Sequence, residues 1–468
     1  MRPLVRPGLQ LNLISSYYDQ DMSAALFLTA CLLLTTNCGR VMGAASLAPA
    51  ASVEDNGTPP SGESARTAES FAESLGVNVH LTYFDTGYGN FDVIKKRLLD
   101  LGVRHLRDGA QFTPDRNYNN MFYGRLKDLA SAGIKFDLIF DPRSSVGELT
   151  NKKLSAVATL AGNSLEAVEG PNEYDNSADR NWAYTLRTYQ AALYQTVKAD
   201  PAIRELPVIG PSFVHAESRD AVGDLAPYLD YGNLHSYPGG KIPTSSFRNE
   251  SEISSARAVS GTRPLIPTET GYHTAVASRS GQPGISDQAF AKYAPRLYLE
   301  YFNQGFARTY LYELCDEKPD PGRINPEHNF GLLTSAGEPN PAYLSLRNLI
   351  YLVTETQPAA DSQQPFTPGQ LYYRLRGDTS GVHHTLLQKR DGRFYLILWQ
   401  EVSSYDIASK SDTFVPVRHL VLELTQARQV NTYLPLESSR VVNYDEAPHR
   451  IELDVPDHAL VVEITPSK

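Results

Sequence analysis

The chain has 468 residues, 41% of them hydrophobic and 21% charged, and carries a net charge of −10 at pH 7. This composition suits a globular protein with one large core and a second module, and excludes a disordered chain. The acidic balance, with no basic cluster to offset it, argues against a general nucleic-acid partner.

Residues 1–48 read as a secretory signal peptide. Arg2 and Arg6 precede an apolar run from Ala24 to Leu34 that is too short for a membrane span, and A-P-A follows at Ala48–Ala50. Asp19 and Asp21 sit just before that run, so Met22 is an alternative start. Cys38 stands where a lipoprotein cysteine would, but T-T-N-C is a poor lipidation signal, and cleavage with export is preferred to a retained anchor. Cys31 and Cys38 fall in this leader, which leaves Cys315 alone and rules out a disulfide framework or a zinc pattern. Residues 49–73 read as a flexible linker, rich in Ala, Ser, Pro and Gly at its start.

From residue 74 a short apolar run alternates with a helical-period segment eight times. The predicted pairs are Val77–Leu81 with Phe91–Leu101, Val103–Arg107 with Asn119–Ala132, Lys135–Phe140 with Leu149–Leu160, and Leu165–Val168 with Asn181–Ala199. Then come Pro207–Gly210 with a weak helix near Ala221–Leu229, Gly232–Ser236 with Ser251–Val259, Leu265–Thr268 with Asp287–Phe302, and Arg308–Leu314 with Pro341–Val353. Eight units in roughly 280 residues is the size of an α/β (β/α)₈ TIM barrel, here placed at residues 74–356. A doubly wound open sheet is the rival, but no Gly-rich phosphate loop follows the first strand. After a polar, Pro-containing link the helical period vanishes. Seven short alternating strands between Leu371 and Ile464, with a turn at Arg390-Asp391-Gly392, predict a C-terminal antiparallel β-sandwich over residues 365–468.

Active sites in such barrels lie at the C-terminal ends of the strands. Polar residues gather there in this sequence. His80 and Tyr83 follow strand one, Arg107 and Asp108 end strand two, and Asp141 ends strand three. Gly170-Pro171 closes strand four and is followed at once by Asn172-Glu173. His235 and Tyr237 end strand six, Glu269 ends strand seven, and Tyr312, Glu313 and Asp316 end strand eight. Ionisable groups at one end of apolar strands are costly to bury unless paired, which points to a site. Arg107-Asp108 also reads as a mutual ion pair, and Glu169 competes with Glu173 for the acid's role but reads as a residue paired inside the barrel. Glu313, Asp316 and Asp320 have no recognised cation-loop spacing, so no metal and no cofactor is expected. Asn249-Glu250-Ser251 is a glycosylation sequon by pattern alone.

Asn172-Glu173 after strand four and Glu269 after strand seven resemble the signature of the clan of retaining (β/α)₈ glycosidases, with Arg107 and Tyr237 as its usual companions. Within the clan the chain looks most like glycoside hydrolase family 39, which joins a barrel to a β-sandwich; the resemblance spans residues 74–466. The Trp that many clan members carry at strand eight is replaced by Tyr312-Glu313. The resemblance implies a retaining glycosidase acting on an oligo- or polysaccharide, and the leader implies that it is secreted, or held in the periplasm or at the cell surface. In it Glu173 is the general acid/base and Glu269 the nucleophile, ionised with help from Arg107 and Tyr237, while the charge of Glu269 favours the protonated acid. Asn172 is expected to bind the sugar 2-hydroxyl, with His80, Arg107, His235, Tyr237, Tyr312 and Glu313 lining the substrate subsite. A non-catalytic glycan-binding protein on the same scaffold is the alternative.

Overall fold

The computed structural model describes residues 61–112, 115–144, 149, 151–247, 250–355, 366–427 and 429–466. The leader with Cys31 and Cys38, the first part of the linker and Asn249 of the sequon lie outside them.

The barrel strands are Leu75–Asn78, His105–Gly109, Lys135–Ile139, Leu165–Glu169, Val208–Ile209, Gly232–His235, Leu265–Glu269 and Thr309–Leu311. All neighbouring pairs are parallel. The eighth pairs with the first, so six strands form one continuous ladder and strands six and seven form another. Single parallel bridges, Ile209 to Tyr231 and Thr270 to Leu311, link the two ladders and close the ring. The outer strand faces carry Leu106, Leu138, Val168 and Leu311, which pack with helix residues such as Leu98, Leu126, Leu193 and Leu297 in the main core. Apolar side chains on the outer face and helices covering it are what a parallel sheet requires.

Inside the barrel the pattern is unusual. Ala167, Ile209, Ile266 and Tyr310 make one small apolar layer. The other inward positions are polar: Asn78, Arg107, Asp137, Glu169, Asn233 and Thr268 are all buried. Barrel interiors are commonly filled by branched aliphatics, so this polar filling marks where the chain departs from a purely structural core. Gly170 has a local steric cause. A Cβ there would lie 1.8 Å from Gln190 Oε1, which packs against the strand end.

The sandwich holds two sheets. One orders Ser61–Ser64, Gln370–Arg376, Arg418–Leu424 and Arg450–Val455; the other orders Val441–Glu446, Gln429–Tyr433, Leu460–Thr465, Phe394–Gln400, Val382–Gln388 and Arg66–Thr67. The linker expectation therefore fails over residues 61–73. Ser61–Ser64 adds an antiparallel edge to Gln370–Tyr373, Arg66–Thr67 adds a parallel edge to Leu387–Gln388, and Ala68–Ala72 is a helix capped by the Thr67 side chain. Ala65 sinks into the sandwich core and Phe71 into the main core. Polar composition concealed the strands because an edge strand needs backbone partners more than apolar side chains. Strand Val441–Glu446 and the small hairpin Tyr405–Asp406 with Ser411–Asp412 were likewise absent from the sequence reading.

Barrel and sandwich share their core. Leu387, Tyr395, Ile397 and Trp399 pack with the barrel helices. Arg296, on helix Asp287–Asn303, donates from Nε and Nη2 to Glu401 at 2.9 and 2.6 Å, and both side chains are fully buried. Trp399 Nε1 donates to Glu300 at 2.9 Å, and Arg66 lies over the Phe302 ring, 3.1 Å from its centroid. Among the described residues no helix is long and apolar enough to cross a membrane.

Candidate active site

Glu269 ends strand seven and Glu173 follows strand four on the far wall, so barrel curvature turns both carboxylates inward. Glu173 adopts left-handed backbone angles, φ 46° and ψ 44°, and its N–H donates to Ser212 Oγ at 3.0 Å. A non-glycine residue held in that region carries strain that surrounding contacts must maintain, a frequent feature of functional turns. One oxygen of Glu173, one ring nitrogen of His235 and one oxygen of Glu269 all lie within 4.8 Å of one another.

Arg107 organises the floor. Its Nε and Nη2 form a bidentate pair with Glu169, both at 2.7 Å; Nη1 donates to Asn78 Oδ1 at 2.9 Å and to Glu269 Oε1 at 2.6 Å; Nη2 also reaches Asn172 Oδ1 at 2.7 Å. A guanidinium has five N–H groups, and all five meet protein acceptors. The resemblance expects Arg107 to line the substrate subsite, but the structure leaves it no donor for a sugar. It acts on Glu269 instead. The second oxygen of Glu269 accepts from the Tyr237 hydroxyl at 2.9 Å. Burial alone pushes the Glu269 carboxyl up, but nearby His235, the charge and hydrogen bond of Arg107 and the Tyr237 bond overcome it and hold the group below its usual range.

Glu169 is fully buried, bound by Arg107 and by Asn233 Nδ2 at 2.9 Å, and it lies beneath the cleft rather than in it. Asp137 sits beside it with neither oxygen meeting a conventional donor. Burial, and then repulsion from Glu169, push the Asp137 carboxyl well above the usual range. Two adjacent buried carboxylates cannot both ionise, and Arg107 is bidentate on Glu169, so the proton resides on Asp137.

His235 is also committed to protein groups. Its Nδ1 lies 2.9 Å from Glu173 Oε1 and its Nε2 lies 3.0 Å from Thr268 Oγ1. The Asn233 amide donates from Nδ2 to Glu169 and Gly210, so its Oδ1 is an acceptor, and the single hydroxyl proton of Thr268 goes to acceptors only, Asn233 Oδ1 at 2.7 Å or Glu169 Oε1 at 3.2 Å. Thr268 Oγ1 must then accept from His235, which places a proton on Nε2. Only one further proton lies between Nδ1 and Glu173, held as a carboxylic acid against neutral imidazole or as an imidazolium against carboxylate.

Asn172 Oδ1 accepts from Arg107 and from Ser212 Oγ at 3.1 Å, and this fixes the amide with Nδ2 as its remaining donor. Its peptide is held by Asp141, whose Oδ2 accepts the Asn172 N–H at 3.1 Å; Arg143, paired with Asp141, also donates to the Asn172 carbonyl. His80, Tyr312 and Tyr83 form the opposite wall. His80 Nε2 lies 3.2 Å from the Tyr312 hydroxyl, and the His80 ring stacks on Tyr83 at 4.5 Å. Removal from water lowers the His80 pKa to about 4, so the imidazole is neutral at pH 7. Glu313 is brought to this wall but lies fully beneath it, accepting from Tyr88 at 2.7 Å. Burial pushes its carboxyl well above the usual range against the Tyr88 bond, and Glu317 and Glu327 add repulsion.

Asp108 does not pair with Arg107. Strand alternation turns it to the opposite face, where it accepts from the N–H groups of Leu81 at 2.9 Å and Gly109 at 2.7 Å. Cys315 is buried, and burial raises its thiol pKa far above the ordinary value. Asn78, Ser212, Asn233 and Thr268 were missed as site residues. Period-two alternation back from His80 and His235 is the signal that could have found Asn78 and Asn233.

The solved structures place this architecture. The fold is shared with solved glycoside hydrolases of families 39 and 30. A monomeric beta-xylosidase from Caulobacter crescentus CB15 superposes with a TM-score of 0.56 at 15% identity, covering 88% of this chain and 98% of that one. The family 39 enzyme from Xanthomonas axonopodis pv. citri gives 0.55 at 15%, covering 90% and 100%. The catalytic domain of the family 30 xylanase C from Talaromyces cellulolyticus gives 0.50 at 10%, covering 87% and 99%. No protein-family model matches the chain, and no curated protein matches it in sequence. At these identities the likeness is one of fold, and the chemistry rests on the residues.

Proposed function

We propose that this chain is an exported retaining glycoside hydrolase that cleaves O-glycosidic bonds of an oligo- or polysaccharide by double displacement. One observation carries the reading: carboxylate oxygens of Glu173 and Glu269 approach within 4.8 Å of each other at the C-terminal end of the barrel strands. Double displacement uses carboxyls about 5–5.5 Å apart, whereas direct displacement by water needs roughly 6.5–9.5 Å. Glu269, held ionised by Arg107 and Tyr237, attacks the anomeric carbon and forms a glycosyl ester. Glu173 gives its proton to the departing oxygen, and the ester is hydrolysed when Glu173 takes a proton from water. His235 supplies a second basic site for the proton shared with Glu173. Asn172 Nδ2 is the donor available to a sugar hydroxyl, a contact that strengthens as positive charge develops on the ring. Export rests on the leader-like residues 1–48.

The test is a screen of aryl glycosides and polysaccharides, with β-xylosides first because the fold neighbours include a beta-xylosidase and a xylanase. On an accepted substrate, Glu269→Ala should abolish turnover, and azide should restore it with an inverted glycosyl azide product. Hydrolysis by Glu269→Ala at the wild-type rate would overturn the reading. Glycan binding without turnover by the wild type would favour a binding protein on this scaffold.

A further inference from the structure

The wall built by the ends of strands one and eight holds a second cluster of ionisable groups, to which the double displacement assigns no step. One ligand atom each from His80, Glu313 and Glu317 lie within 4.8 Å of one another. His80 follows strand one; Glu313 and Glu317 follow strand eight. His80 Nε2 is 3.4 Å from Glu313 Oε2. The other Glu313 oxygen, Oε1, is buried and has no hydrogen-bond partner. Among the described residues, the ion pairs of Glu313 include no arginine or lysine, and Glu317 forms none. An unpartnered carboxyl oxygen in a fully buried side chain is costly, and a second acidic group beside it adds to that cost.

We infer that His80, Glu313 and Glu317 form a binding site for a divalent first-row transition ion on the cleft wall, shared between the tips of strands one and eight. A cation bound by the three would give the Glu313 and Glu317 carboxyls a shared positive partner. One imidazole nitrogen with two carboxylate oxygens suits Mn²⁺ or Zn²⁺ rather than an ion preferring oxygen alone, and three protein ligands leave positions open to water. The ion would add a tie between two loop tips already joined by the Tyr88 to Glu313 and His80 to Tyr312 hydrogen bonds, fixing the aromatic wall beside Glu269. The site departs from the sequence-based expectation of a metal-free chain, which considered only Glu313 with Asp316 and Asp320. His80 comes from the other end of the barrel in sequence, and only ring closure brings it near. This inference does not depend on the glycosidase reading.

The experiment uses the full-length chain, dialysed against a chelator and titrated calorimetrically with MnCl₂ and with ZnCl₂. One ion per chain is expected, with a rise in melting temperature. Glu317 is half-buried in a loop, so Glu317→Gln should fold, matching the metal-free wild type in circular dichroism. It should bind at least about tenfold more weakly and lose the thermal shift. The catalytic trio Glu173, His235 and Glu269 is the competing site, so Glu173→Gln is titrated in parallel and should bind as the wild type does. Absence of binding by the wild type overturns the inference. So does undiminished binding by Glu317→Gln, or binding lost in Glu173→Gln alone.

Discussion

At the residue scale, Arg107 governs both stability and chemistry because its five donors join Glu169, Glu269, Asn78 and Asn172 in one buried network. Replacing it by Met leaves Glu169 and Glu269 buried without their cation, a change that typically costs about 3–5 kcal/mol. Urea unfolding should show that loss, together with loss of turnover. The pH profile follows from Glu269. Its folded pKa is depressed, so its contribution to stability is present above its unfolded value and disappears as pH falls through the folded value. The acid limb of kcat/KM should therefore lie below the ordinary glutamate value of about 4.3; a limb near 6 would contradict this account. Glu173→Gln should lower kcat by about 10²–10⁴, and less for aryl glycosides whose leaving group needs no proton. The two glutamates were legible because Gly170-Pro171 and the end of Leu265–Glu269 mark strand tips. The committed donors of Arg107 and the Thr268–His235 relay were not, since sequence shows which residues are present but not how their hydrogen bonds are divided.

At the scale of elements, all eight strands and seven of the eight helices were legible from periodicity, with ends displaced by at most three residues; the helix expected near Ala221–Leu229 is instead a short helix at Ser218–Val222 and a separate 3-10 turn at Ala226–Tyr228. Helices Phe91–Leu101 and Pro341–Val353 match the expected bounds, and Gly102, with φ 84°, closes the first. Strand Leu75–Asn78 begins earlier than expected because Gly76 packs under the Tyr310 ring, where a Cβ would lie within 2.4 Å of it. Residues 61–67 were illegible because their order comes from pairing with strands some three hundred residues away. Removing residues up to 67 should expose the edge of Gln370–Arg376 and uncover Ala65's place in the sandwich core. A lower urea midpoint and earlier proteolysis within residues 370–376 are the expected outcomes; an unchanged midpoint would show these strands to be incidental. Arg296 and Glu401 offer a second test at this scale. Glu401→Gln breaks a buried pair and should destabilise by about 3–5 kcal/mol, a loss that denaturant unfolding will read while the catalytic pH profile stays in place.

At the scale of the whole molecule, the sandwich behaves as part of the barrel's core rather than as an appended module. Trp399, Tyr395 and Leu387 are fully buried against barrel helices. Deleting residues 366–468 should therefore give insoluble or molten protein, not an active barrel, and recovery of a folded, active barrel would contradict the shared core. Sequence composition revealed two modules but could not reveal that their apolar faces meet. The central claim is that two glutamates on opposite walls act on one sugar ring through a covalent intermediate. Proton NMR of the first-formed product from an accepted substrate tests this most directly: the account predicts that the anomeric configuration is retained before mutarotation, and an inverted first product would contradict it.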